Sequence, residues 1–172
     1  MKNLLEFVKE NSDDSKSSPS TNLKKADDVI AYAKTLSDFT FNDEETGWDK
    51  NGKAFSLTNK NGLKMIVDFA NNSEYVYDFE DKDGNSLYSM SSTADTSETD
   101  WKVLLNPKTW ADKRISELKS SISKYEGLAK RAKTQYDRYD RSSDYQKYLD
   151  NKKSVQSLNN KLEKVKKIAS IA

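Results

Sequence analysis

Residues 53–90 read KAFSLTNKNGLKMIVDFANNSEYVYDFEDKDGNSLYSM, and the alternation within this stretch decides the fold. Apolar side chains recur at every second position on both sides of Asn59-Lys60-Asn61-Gly62, and again around Asp81-Lys82-Asp83-Gly84. A period of two is the spacing of one face of a strand, and Gly after Asn or Asp supplies the positive φ of a hairpin turn. Asp49-Lys50-Asn51-Gly52, just upstream, is a third copy of the same [Asp/Asn]-Lys-[Asn/Asp]-Gly pattern. Each copy of this internal repeat predicts a β-hairpin turn.

Register follows from the turns. Three-residue loops with the glycine in a bulge place Leu57 opposite Met65, Phe55 opposite Val67, and Phe79 opposite Leu87. A five-residue loop from Ala70 to Glu74 places Phe69 opposite Tyr75 and Val67 opposite Tyr77. One face then gathers Phe55, Leu57, Met65, Val67, Phe69 and the apolar residues facing them, while the other is mostly Ser, Thr, Lys, Asp and Glu. A slip of one residue would invert that sorting. The prediction is an antiparallel meander of four or five strands, its first strand being either Phe39-Thr40-Phe41 or Thr46-Gly47-Trp48.

Such a sheet needs a cover. Leu23, Ala26, Val29, Ile30, Ala33 and Leu36 recur at three and four, which predicts an amphipathic helix over 22–36 with Ser20, Thr21 or Asn22 as N-cap. The Ser/Asp/Lys run from Asn11 to Thr21 is too polar to offset the entropy of ordering and reads as a tether. Leu4, Leu5 and Val8 before it suggest a short docking helix.

Downstream, Pro107 suits the first turn of a helix. Ile115, Leu118, Ile122, Tyr125, Ala129, Ala132, Tyr136 and Tyr139 then form an unbroken seam at spacings of three and four. Continued past Tyr139, the same seam meets only polar residues, Ser143, Gln146, Asp150 and Lys153 among them. A second apolar stripe appears in another phase: Tyr145, Tyr148, Val155, Leu158, Leu162, Val165 and Ala169, with Ile168 beside it. The offset is about half a helix circumference. A reversal at Asp140 to Asp144, with Ser142 or Ser143 capping the second helix, lets the stripes face each other. The fold class expected is therefore α+β: an N-terminal helix on a four- or five-stranded antiparallel meander, followed by a long antiparallel coiled-coil helical hairpin. The division expected is a flexible N-terminal arm over 1–21, an α+β sheet domain over 22–106 and the helical hairpin over 107–172.

Charge is segregated along this plan. The net charge of +1 over 172 residues conceals −8 over residues 1–106 and +9 over 107–172. Such a layout bears on association rather than fold.

Composition also limits the chemistry. Without histidine or cysteine, imidazole acid–base catalysis, Ser-His-Asp hydrolysis, thiolate chemistry and the usual zinc ligand sets are excluded. No GxxxxGK[ST] or GxGxxG loop occurs. Asp81, Asp83 and Asn85 open like an EF-hand loop, but Ser86 and Ser92 stand where that loop needs its glycine and its bidentate acid, so a plain turn is preferred. Asp68 with Glu80-Asp81-Lys82 matches the spacing of Mg²⁺-dependent nucleases. In the register above, however, Asp68 faces Val76 and Glu80 lies roughly 13 Å further along, too far to share one ion.

A non-catalytic binding or inhibitor protein is therefore expected, with no cofactor and no metal, of the kind a phage or mobile element uses to block a protein such as a nucleic-acid enzyme. Its partner surface is expected at Lys130, Arg131, Lys133, Arg138 and Arg141 near the hairpin turn, beside Tyr136, Tyr139, Tyr145 and Tyr148, and at Lys161, Lys164 and Lys167 toward the other end. A protein partner comes first, a nucleic-acid enzyme or its nucleic-acid complex included; direct nucleic-acid binding by the basic hairpin is the alternative reading. The acidic sheet, through Asp43, Glu44, Glu45, Asp49, Asp78, Glu80, Asp81 and Asp83, is a second surface, able to imitate a phosphate array in the cationic groove of a nucleic-acid enzyme. Pairing of hairpins into a homodimer is a further expectation. The charges in Met1–Glu10 and the lack of a long apolar run predict no signal peptide and no membrane partner, with the cytoplasm as location.

Overall fold

The computed structural model describes residues 23–48, 52–72, 74–92, 96 and 99–172. The expected tether and docking helix, the Ser20 to Asn22 caps and Asp49 to Asn51 of the first repeat lie outside the described residues. Helix α1 (Ala26–Ala33) precedes five strands, β1 (Phe39–Glu44), β2 (Lys53–Asn59), β3 (Lys64–Phe69), β4 (Tyr75–Glu80) and β5 (Ser86–Ser92). A one-turn helix α2 (Trp101–Leu104) leads into α3 (Pro107–Tyr139) and α4 (Ser142–Ile171). The strands form one antiparallel sheet in sequence order, so the fold is the expected α+β meander with a helical hairpin.

Pairing between β2 and β3 places Phe55 opposite Val67 and Leu57 opposite Met65, and pairing between β3 and β4 places Val67 opposite Tyr77 and Phe69 opposite Tyr75, as the alternation predicts. The last hairpin departs from that expectation. Glu80 faces Ser86, but a bulge then shifts the register so that Phe79 faces Tyr88 instead of Leu87. With Leu87 as the extra residue, both Leu87 and Tyr88 become buried. The first strand contains Phe39-Thr40-Phe41, and Thr46-Gly47-Trp48 belongs to the connection after it. There Asp68 accepts hydrogen bonds from Thr46 Oγ1 (2.6 Å) and from the Gly47 N–H (2.7 Å).

Helix α1 is shorter than its periodicity suggests. Its N-cap is Lys25, whose N–H donates to Asp28 Oδ2 at 3.2 Å, and the Ala26 N–H donates to Asn72 Oδ1 at 3.0 Å. A side chain distant in sequence thus satisfies a helix-start donor and sets the boundary.

One apolar core joins the sheet to the base of the hairpin. Trp110 of α3 lies 4.6 Å from Phe79, 5.1 Å from Tyr88 and 6.0 Å from Tyr77, ring centre to ring centre. Trp101 of α2 packs on Phe69 and Tyr75 at 5.3 and 4.9 Å, and its indole N–H donates to the Thr96 carbonyl at 2.8 Å. Leu118, Ile122, Leu162, Val165 and Ile168 complete the core from the hairpin. The two glycine turns also hold α4. Asn59 and Asn61 each donate from Nδ2 to the Ile171 carbonyl, at 2.7 and 3.3 Å, and Lys167 Nζ meets Asp81 Oδ2 at 2.8 Å.

Candidate partner-binding surface at the hairpin tip

Beyond the sheet, α3 and α4 pack on each other alone among the described residues. Ala129 and Ala132 bury against the partner helix, but the larger seam residues further out remain accessible: Tyr136 and Tyr148 partly, Tyr145 at 45% and Tyr139 at 55% exposure. Small seam residues let the helices approach, and the bulky ring planes then fall at the margin of the contact.

The reversal is tighter than expected. Only Asp140 and Arg141 separate the helices, Ser142 is already helical, and the N-cap is Arg141 without a side-chain cap hydrogen bond. Asp140 closes α3 in the left-handed region (φ 50°, ψ 37°), a conformation that Asp tolerates better than most non-glycine residues. Asp144, in the first turn of α4, is buried and faces Lys147 at 3.5 Å.

Around this turn the tyrosines and cations interleave. The Tyr136 and Tyr145 rings meet at 4.9 Å and those of Tyr145 and Tyr148 at 6.2 Å, both pairs tilted. Arg141 and Arg138 lie 5.1 and 5.9 Å from the centre of the Tyr139 ring, and Lys152 lies 5.9 Å from that of Tyr148. Cations on ring faces keep their outward N–H groups available for an acceptor. The charge of Asp140, with a hydrogen bond to its carboxylate, holds the Tyr136 phenol above its ordinary value.

The expected surface residues separate into two groups. Lys130, Arg131, Arg138 and Arg141 are exposed at the tip and have no ion-pair partner among the described residues. Lys161 and Lys164 are likewise exposed and unpaired toward the base. Lys133 is bound to Asp137 at 2.9 Å, which raises its pKa, and Lys167 is engaged by Asp81. Sequence reasoning missed Leu128, 37% exposed on α3. Its place just outside the Ala129 seam was the available signal.

Neither carboxylate arrangement considered from the sequence gathers into a metal centre. Asp81 Oδ1 accepts from the Asp83 and Asn85 N–H groups at 3.1 and 3.0 Å, closing a turn on itself. Asp68 faces Val76, and Glu80 faces Lys64. Among the described residues no group of three or more His, Cys, Asp or Glu is placed to hold a metal ion. A cleft of about 220 Å³ between the sheet and α2–α3 is lined by Tyr75, Tyr77, Met90, Trp110 and Arg114, the last paired with Glu117 at 2.8 Å. No described helix is long and apolar enough to cross a membrane. Comparison with family models, curated proteins and solved structures gives no match.

Proposed function

We propose that this chain is a non-catalytic binding protein that docks the tip of its helical hairpin on a partner protein, in the cytoplasm, and thereby blocks or positions it. The observation that carries this reading is the concentration of exposed Tyr139, Tyr145 and Leu128 with unpaired Lys130, Arg131, Arg138 and Arg141 at the end of the arm farthest from the sheet. Tyr and Arg are the side chains that most often anchor protein interfaces, since each offers large contact area with directed hydrogen bonds. The exposed carboxylates of Asp137, Asp140 and Asp150 lie among these cations, a mixed pattern that suits a protein surface better than a continuous phosphate ladder.

The test is capture of partners from native-cell extract by the immobilised chain, alongside the variant Tyr139→Ala/Arg138→Glu/Arg141→Glu. A protein retained by the wild type and lost by the variant supports the reading; identical retained sets oppose it.

The exposed Tyr139 and Tyr145 rings beside unpaired arginines also favour a second reading, direct binding of single-stranded nucleic acid. Binding of labelled single-stranded DNA and RNA, titrated with salt, separates the two. Phosphate contacts give a steep linear fall of log affinity with log salt. No binding at low salt removes the second reading.

A further inference from the structure

We propose that this chain also associates with itself head to tail, the hairpin tip of one copy seated on the outer sheet face of another. The described helices and the buried aromatic residues lie on one side of the sheet; on the other side, where Ala54 and Ser56 are buried among their neighbours, no described helix or strand packs. On that outer face Ile66 and Val76 are only partly buried, and Asp78 and Glu80 have no ion-pair partner among the described residues. Glu44 at its margin is held by Lys64 (2.7 Å) and Ser56 (2.6 Å), which keep its carboxyl below the ordinary value and therefore charged. Trp48, 42% exposed, follows the Thr46–Gly47 segment fastened to Asp68 on the same face.

The two surfaces are chemical opposites. The face offers apolar side chains among unpaired carboxylates, and the tip offers exposed rings among unpaired guanidinium and ammonium groups. Residues 1–106 carry −8 and residues 107–172 carry +9, so a second copy is a complementary partner already present at the same concentration. A tip cannot reach the sheet of its own chain. The hairpin is packed in the core as far as Ile122, and the 17 residues of α3 beyond it carry its far end roughly 25 Å further out. The contact joins unlike surfaces, so it is heterologous in kind, and it needs no third molecule.

Sedimentation velocity of the full chain tests this at about 100 µM in about 25 mM and about 300 mM NaCl, where the screening length falls from roughly 20 to roughly 6 Å. The expected result is a mass above the 19.6 kDa monomer that rises with concentration in low salt and returns to monomer in high salt. Arg138→Glu/Arg141→Glu and Asp78→Lys/Glu80→Lys should each be monomeric alone, and an equimolar mixture should associate again, because each supplies the surface the other lacks. Circular dichroism confirms that both variants fold; should the sheet variant not, Asp78→Asn takes its place, with at least a fivefold weaker association expected. A monomeric wild type in low salt, association persisting in either folded variant, or a mixture that stays monomeric would overturn the proposal. Identical proteins captured by the wild type and the tip variant, with self-association of the wild type intact, would count against the partner reading alone.

Discussion

Lys167 on α4 and Asp81 at the β4–β5 turn, 86 residues apart in sequence, meet at 2.8 Å and tie the hairpin to the sheet. Asp81 also accepts from Asn85 and Asp83, and these bonds with the Lys167 contact first among them hold its carboxyl down to about 2, from an ordinary 3.8. A depressed carboxyl stabilises the fold above its unfolded pKa, and that contribution disappears as pH falls through the folded value. The difference in melting temperature between the wild type and Asp81→Asn should therefore be constant above about pH 5 and shrink between about pH 4 and 2. Calorimetry across that range checks it.

Trp110 links Phe79, Tyr77 and Tyr88 to the hairpin at ring-centre distances of 4.6 to 6.0 Å. Trp110→Ala removes the largest side chain that α3 contributes to the shared core and should destabilise the fold by about 3–5 kcal/mol. Urea unfolding followed by circular dichroism measures this. Because α3 and the sheet share one core, loss should appear as a lower midpoint of the whole transition.

The left-handed Asp140 makes the hairpin turn sensitive to side-chain branching. Asp140→Val should cost about 1–2 kcal/mol, and Asp140→Gly should be near neutral, since relief of steric strain is offset by a more flexible unfolded chain. Asp140→Asn should also move the Tyr136 phenol down toward its ordinary value of 10, since the Asp140 charge is the first cause of its elevation. Ultraviolet titration of the tyrosines reads this shift.

Burial pushes Tyr77 up to about 12 from 10. A phenol that stays protonated longer in the folded state gives stability that is complete below about pH 10 and lost as pH rises toward 12. Unfolding midpoints should accordingly fall over that interval, and less steeply in Tyr77→Phe, which cannot ionise.

The sheet was legible because period-two alternation and Gly turns agree on one register for Phe55, Val67 and Tyr77. The bulge at Leu87 was not, because Leu87 and Tyr88 are consecutive apolar residues and either satisfies an inward position. The hairpin was legible from the change of phase between the Ile122 and Leu162 stripes. The start of α1 was not, since it depends on Asn72, a polar side chain without periodicity. The same limit applied at the expected partner surface: Lys167 reads as one more surface lysine until the fold brings Asp81 beside it. Short helix α2 could have been found from Asp100, whose side chain accepts from the Val103 N–H, ahead of buried Trp101, Leu104 and Leu105.

That the far end of the hairpin is where a partner docks is tested most directly by site-specific photocrosslinking in the native cell. A benzophenone side chain is placed at Tyr139 or Tyr145, or at Thr40 on β1 as the control. Adducts with one partner protein from the tip positions, and none with that protein from Thr40, are predicted. Adducts with a partner from Thr40 while both tip positions stay uncrosslinked would contradict it.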